Sequence, residues 1–220
     1  MEKTTNYWLE NSINTILDLS ISLTFAAACA EWHFTGKVID HEKAEAVCEL
    51  CGKNELRYHY EIRNGFTDHE LMVGSSCILR FSDIRVLNQH GCEVTDHGER
   101  ERLLRDALER ERIESLLAKL RVLYRSNRRG DMKPRIANLA ILIKQKEKLT
   151  PKDAAWLVHT MAVNGITHDT SLISVSLNKK KHKSELANLP PYAFNLVWDL
   201  LTATQQERHK FLHLEKNRKY

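Results

Sequence analysis

The sequence lacks the short motifs that mark the common enzyme classes. It has no glycine-rich phosphate loop, no Gly-x-Ser-x-Gly turn and no His-Glu-x-x-His pair. It also shows no repeat with a period of about 20 to 50 residues, which argues against a solenoid. No helix-turn-helix, RNP-type aromatic motif or zinc-finger helix indicates a particular nucleic acid.

Long uninterrupted apolar stretches are absent as well. The most apolar run, residues 13–30, follows Glu2 and Glu10 and is interrupted by Asp18, unlike a secretion signal or a membrane span. One helical stripe contains Leu9, Ile13, Ile16, Leu17, Ile21, Thr24 and Ala28. We therefore expect residues 1–30 to form an N-terminal amphipathic helix that faces the core, and we expect no membrane partner.

Three of the five cysteines have the spacing of metal ligands. Cys48 and Cys51 form a Cys-x-x-Cys pair that Gly52 follows, and Cys77 comes after a Val-Gly-Ser-Ser turn. A Cys-x-x-Cys-Gly turn points two thiolates at one ion, and glycine relieves the backbone beside the second sulfur. This pattern predicts a Zn²⁺ site with ligands Cys48, Cys51 and Cys77. The alternative is a reduced pair or a redox dithiol, although no βαβ pattern of the thioredoxin type surrounds it.

The segment between these cysteines has the periodicity of a β-hairpin. Residues 56–63 alternate strictly between apolar and polar, an Asn-Gly pair breaks the pattern, and residues 70–73 read as the return strand. The hydroxyls of Ser75 and Ser76 are candidates to cap a short helical turn that carries Cys77. The order of these parts, a Cys-x-x-Cys-Gly turn (the zinc knuckle), a β-hairpin and a third ligand on a helical turn, predicts a treble-clef-like zinc module over residues 31–98.

The fourth zinc ligand is open. Arg80 stands three residues after Cys77, where a treble clef usually places its last ligand. The first candidate is His59, on the polar face of the first strand, and the alternative is Cys92, beside a predicted hairpin tip between residues 84–87 and 93–95. Further candidates are His33, His41, His69, a carboxylate and water.

Several of these motifs together resemble a known group of proteins. They are Glu31-Trp32-x-Phe34-x-Gly36, Cys48-x-Leu50-Cys51-Gly52, Leu56-Arg57-Tyr58 and Val73-Gly74-Ser75-Ser76-Cys77. Over about residues 30–82 the chain resembles small zinc-knuckle proteins carried by bacteria, their phages and mobile elements. The resemblance implies metal binding and a bacterial or phage setting, and it implies no particular activity.

Charge divides the chain into two parts. Residues 1–98 hold 8 Lys and Arg against 15 Asp and Glu, whereas residues 99–220 hold 25 against 14. The net charges of −7 and +11 place a domain boundary near residue 98. With three cysteines assigned to a metal, Cys29 and Cys92 remain, which favours a reducing cytoplasm.

The part after this boundary has helical patterns throughout. We expect helices over residues 99–126 and 134–148, one that Thr150 caps, a segment over 169–187, one that a Pro-Pro pair opens, and one that Thr202 caps. The predicted fold class is therefore α+β: mainly α-helical, with a small antiparallel β zinc module and a basic helical domain over residues 99–220.

Basic side chains cluster in three places in that domain. The candidate contacts are Arg125, Arg128, Arg129 and Lys133 around one loop and Lys179, Lys180, Lys181 and Lys183 in a second run, and the C-terminal tail adds further cations. Such clusters release counterions from phosphates. The sequence predicts a zinc-stabilised binding module that contacts nucleic acid. The alternative is an inhibitor or adaptor, of anti-defence or regulatory type, that acts on an acidic host protein, and the third reading is a metal-dependent nuclease.

Overall fold

The protein forms two compact units. A computed structural model describes residues 6–127, 130–167 and 169–217. Unit 1 is Met1–Glu111 and unit 2 is Arg112–Tyr220. The boundary falls within a long helix, whereas composition placed it near residue 98. The predicted α+β class, mainly helical with a small antiparallel sheet, is confirmed.

Unit 1 contains the sheet. Its three strands lie in the order β1-β2-β3, and both pairings are antiparallel. Trp32, Ile62, Val73 and Ile78 are fully buried in the core beneath it. The elements are α1 (Tyr7–Asp18), α2 (Phe25–Cys29), β1 (Trp32–Asp40), β2 (Tyr58–Asn64), β3 (Glu70–Val73), α3 (Ser75–Arg80) and the first half of α4 (His97–Ser126).

The prediction of one N-terminal helix over residues 1–30 is wrong. The chain turns between α1 and α2 because the amides of Ile21 and Ser22 donate to the Glu31 carboxylate, at 3.0 and 2.8 Å. The side-chain amide of Asn64 donates to the same carboxylate at 2.8 Å. A buried acid therefore satisfies backbone groups that an uninterrupted helix would have paired internally.

The predicted β-hairpin is confirmed as β2 and β3, but its polar face is only partly exposed. Tyr60 and Ile62 enter the core as the alternation predicts. His59 and Glu61, which alternate with them, are also buried. The predicted hairpin near Cys92 is reduced to one bridge, between Leu87 and Glu93.

Unit 2 is helical around one apolar core. That core includes Leu120, Ile136, Leu149 and Phe194. The elements that follow the second half of α4 are α5 (Lys133–Lys144), α6 (Pro151–Val163), a 3-10 turn (Thr170–Leu172), α7 (Lys180–Ala187), α8 (Pro191–Trp198) and α9 (Ala203–Asn217).

Local signals locate some of these helices better than others. The Thr150 hydroxyl accepts the Asp153 amide at 3.2 Å, so the predicted cap of α6 is confirmed. A continuous helix over residues 169–187 is wrong, because backbone of this β-branched and serine-rich segment pairs with Leu149 at Ser174 and Ser176. None of the described helices has the length and apolarity needed to cross a membrane.

Candidate metal centre

The loop between β1 and β2 positions the first two cysteines. An antiparallel bridge between Ala46 and Leu56 closes the loop, and inside it the Cys48 amide donates to the Lys53 carbonyl at 2.8 Å. Gly52 has a φ of +74°, and a Cβ there would lie 3.0 Å from Asn11 Nδ2. The left-handed turn therefore favours glycine, and any larger residue would also displace the Asn11 side chain.

The third cysteine comes from the helix that follows β3. Gly74 is the N-cap residue of α3, its amide points at Cys48 Sγ at 3.4 Å, and its carbonyl accepts the Cys77 amide at 3.0 Å. No side-chain hydrogen bond caps α3, so the predicted capping by Ser75 or Ser76 is wrong. The sharp exit from β3 thus carries Cys77 back to Cys48.

The structure brings Cys48, Cys51 and Cys77 together. Their sulfur atoms all lie within 4.8 Å of one another, and those of Cys48 and Cys77 are 3.7 Å apart. A tetrahedral zinc with bonds of about 2.3 Å separates its sulfur ligands by about 3.8 Å. The three residues are 1%, 6% and 3% exposed. This donor set can hold one metal ion.

The thiols of the cluster interact directly with one another. The pKa of Cys48 is lowered to about 5, because the Cys77 thiol and the amides of Gly74, Cys51 and Leu50 donate hydrogen bonds to its sulfur. The pKa of Cys77 is raised, first by its hydrogen bond to Cys48 and then by burial. These hydrogen bonds therefore favour the thiolate form of Cys48, which is the form that binds metals.

His59, the predicted fourth ligand, is not brought to the three sulfurs. It is 6% exposed, with Nδ1 lying 3.1 Å from His41 Nε2 and Nε2 lying 3.0 Å from the Val47 carbonyl. Both ring nitrogens are therefore used in hydrogen bonds. The loop that carries Cys48 covers this face of β2, and the Val47 carbonyl of that loop accepts from His59 Nε2, so this nitrogen does not reach the sulfurs.

Cys92, the alternative fourth ligand, and Cys29, which was assigned to no metal, lie elsewhere too. Cys92 is exposed, and its sulfur lies 4.0 Å from the His90 carbonyl. Cys29 is buried, and burial with nearby Asp83 raises its pKa to about 12. Within the described ranges, the three-cysteine cluster is the only group of three or more His, Cys, Asp or Glu side chains close enough to share an ion.

The cysteine cluster opens onto a cavity of about 360 Å³ that no sequence pattern predicted. All three cysteines line it, together with Lys53, Glu55, Leu56, Arg57, Tyr58, Tyr60, Gly74, Ser75, Ser76, Arg80 and Leu108. The position of Arg80 was the one sequence feature that pointed to this wall, since it stands one helical turn after Cys77, where a treble clef usually places another ligand. Its cationic side chain lies on the cavity wall instead.

The predicted basic residues occupy several places in unit 2. Arg128 and Arg129 lie outside the described residues. Arg125 is exposed on α4, and the Lys133 ammonium lies 5.2 Å from the centre of the Tyr124 ring. The exposed members of the second cluster, at the start of α7, are Lys179, Lys180, Lys181 and Lys183.

Known proteins offer no guide to this arrangement. Comparison of the chain with family models, with curated proteins and with solved structures finds no match. The function must therefore be inferred from the cysteine cluster, its cavity and the basic side chains of unit 2.

Proposed function

We propose that the protein is a zinc-stabilised binding protein: Zn²⁺ on Cys48, Cys51 and Cys77 holds unit 1 folded in a treble-clef-like arrangement, and unit 2 contacts the phosphates of nucleic acid. Three thiolates suit zinc because it is a borderline-soft ion with a strong preference for sulfur and nitrogen ligands. Unit 2 holds 21 Lys and Arg against 9 Asp and Glu, a net charge of +12.

The lysines at the start of α7 carry the nucleic-acid proposal. Lys179 is the N-cap residue, Lys180, Lys181 and Lys183 follow it, and the first turn contains no acid. Positive charge at a helix N-terminus opposes the helix dipole, at a cost of about 0.3 to 1 kcal/mol for each charge. A polyanion neutralises the lysines and so removes this unfavourable interaction, which makes binding to phosphates more favourable.

Tertiary packing extends this basic surface. The pKa of His209, on α9, is lowered by burial and then by the charges of Lys183 and Arg208. α9 departs from helical geometry at His209, whose φ is −118°. Lys183 and Arg208, although distant in sequence, therefore act on the same imidazole and belong to one positively charged region.

Charge reversal on α7 tests this proposal. The variant Lys180→Glu/Lys181→Glu/Lys183→Glu is compared with Lys146→Glu/Lys148→Glu/Lys152→Glu, which makes the same change of charge elsewhere in unit 2 at exposed residues. Binding to labelled single-stranded and double-stranded oligonucleotides is measured by fluorescence anisotropy over a range of salt concentrations.

We expect only the α7 variant to neutralise fewer phosphates than the wild type. Its log-affinity against log-salt slope on duplex DNA flattens by about 0.9 for each phosphate that it no longer neutralises, and the control retains the wild-type slope. Equal slopes in wild type and the α7 variant refute the role of these lysines. If none of the oligonucleotides shows salt-dependent binding, the nucleic-acid proposal as a whole is refuted.

A groove in unit 2 favours a protein partner as the second candidate. It has a volume of about 420 Å³ and an apolar floor that includes Leu117, Leu120 and Ile136. Its basic lining residues are Arg121, Arg125 and Lys144. An amphipathic helix with acidic flanks fits this combination of apolar and cationic surface.

Ile141, which also lines the groove and is 53% exposed, provides the test of this second candidate. A protein captured from nuclease-treated host lysate by the wild type should be lost with Ile141→Asp and retained with the α7 variant. Capture that the α7 variant abolishes and Ile141→Asp leaves intact contradicts docking in the groove.

A further inference from the structure

We propose that the metal ion on Cys48, Cys51 and Cys77 has its fourth coordination position open toward the cavity, where it binds an oxyanion, the phosphate or carboxylate group of a small molecule. This inference rests on the zinc site of the proposed function and goes beyond it, because it makes the metal a ligand-binding centre as well as a structural one.

The cluster supplies three protein ligands. Zinc takes four ligands, and sites that bind substrate hold three protein ligands and leave one position to an exchangeable group. In the part of the chain that the structure describes, three side chains of metal-binding type converge, and all three are cysteines. His59 is held away by His41 and Val47.

The cavity lies directly beside these ligands. Cys48, Cys51 and Cys77 all line it, although each is at least nine-tenths buried. A ligand in the cavity would therefore lie beside a metal ion held by these cysteines. The volume of about 360 Å³ is at the lower end of the range of small-molecule pockets, roughly 300 to 1,000 Å³.

The cavity wall carries an excess of positive charge. Zinc with three thiolates carries one net negative charge, which by itself repels anions. Lys53 and Arg80 place two cationic side chains on the wall against the single carboxylate of Glu55, and a third cation, Arg57, is paired with Asp40. This excess of positive charge offsets the net negative charge of the metal with its three thiolates, so that an anionic ligand is not repelled from the cavity.

Two of these cations are held in place by neighbouring groups. The guanidinium of Arg57 donates two hydrogen bonds of 2.9 Å to the Asp40 carboxylate, and that of Arg80 lies 4.0 Å from the centre of the Trp8 ring. Planar guanidinium groups match the geometry of phosphate and carboxylate oxygens. Ser75 and Ser76 add hydroxyl groups to the same wall.

Cobalt substitution of the full chain tests this proposal. Co²⁺ replaces zinc, and thiolate-to-cobalt charge-transfer absorption reports whether the cysteines bind the metal. The visible d–d bands, which respond to the fourth ligand, are followed during titration with sodium phosphate or sodium acetate. Sodium perchlorate at equal ionic strength is the control, because perchlorate coordinates metals weakly.

We expect a saturable change in the d–d bands with phosphate or acetate and none with perchlorate. A tighter response to phosphate assigns a phosphate ligand, and a tighter response to acetate assigns a carboxylate. Arg80→Gln and Lys53→Gln should each lower the affinity for the anion by about tenfold, as expected for a lost charge-assisted hydrogen bond. Lys43→Gln, outside the cavity, should leave the affinity unchanged.

Glu55→Gln distinguishes an open position from one that a side chain occupies. We expect its cobalt spectrum without added anion to match the wild type, and its anion affinity to rise. A changed spectrum in Glu55→Gln or His59→Ala before any anion is added identifies a protein ligand and overturns the proposal. Unchanged d–d bands with both anions overturn it as well, whereas missing charge-transfer absorption shows that the zinc site itself is wrong.

Discussion

Removal of one thiol provides the most direct test of the metal centre. We compare Cys77→Ala with Cys29→Ala, because both side chains are buried in unit 1 and only the first belongs to the cluster. Loss of the sulfur from a buried site costs each variant about 1 kcal/mol of packing. The difference in destabilisation between the two variants therefore measures the contribution of the metal without the packing effect.

The remaining difference is the linkage between metal binding and folding. At a free zinc concentration of about 100 to 1,000 times Kd, bound metal stabilises the folded state by about 2.7 to 4.1 kcal/mol. Cys77 contributes one of three sulfurs, the one 3.7 Å from Cys48 Sγ, so its loss removes most of this stabilisation. For a unit of this size we expect a fall in Tm of roughly 12 to 30 °C beyond the control.

Hydrogen exchange with mass spectrometry locates the effect, and elemental analysis counts the metal. In Cys77→Ala, residues 46–56 and 70–81 should lose protection while residues 151–163 in unit 2 retain it. Chelator should reproduce this pattern in the wild type and leave Cys77→Ala unchanged. One metal ion per chain in Cys77→Ala, or equal destabilisation of the two variants, would refute the assignment.

Three further outcomes follow from the side-chain contacts. His59→Ala should retain one metal per chain, because its ring nitrogens bond elsewhere, but should lose about 1 to 3 kcal/mol of unfolding free energy; elemental analysis showing metal loss would restore His59 as a ligand. Thr150→Ala should destabilise the protein to urea by about 1 kcal/mol, and Thr150→Ser by less, since serine keeps the capping hydroxyl; equal losses would contradict the cap. The pKa of His209 is lowered in the folded state, so the unfolded chain binds more protons, and stability should fall as the pH drops below about 6.5 and through the folded pKa. The variant His209→Gln should show a smaller fall in thermal melts. A pH profile identical to that of the wild type would contradict this role of His209.

Periodicity and short motifs predicted much of unit 1 because they depend on neighbouring residues. The alternation over residues 56–63 and the Asn-Gly turn predict β2 and its return strand, and the structure confirms both. The Cys-x-x-Cys-Gly sequence predicts a tight turn, and Gly52 adopts the left-handed conformation that the turn requires. These features need no information from distant parts of the chain.

The errors arise where a distant group competes with a local pattern. Residues 13–30 have a helical stripe, yet Glu31 bonds to Ile21 and Ser22 and interrupts the helix. His59 occupies a polar strand position, yet the Val47 carbonyl and His41 cover it. An alternating pattern shows which side chains share a face, but it does not show what packs against that face.

The sequence by itself determined that the thiols of Cys48 and Cys51 lie close together, that a hairpin follows them, and that α6 starts at Thr150. Each depends on spacing within a few residues, over which backbone geometry is nearly independent of the rest of the fold. Only the tertiary structure decided that His59 is held away from these thiols, that Arg80 lines their cavity, and that Lys183 and Arg208 both act on His209. Such contacts depend on how strands and helices pack over long sequence separations, which residue periodicity does not specify.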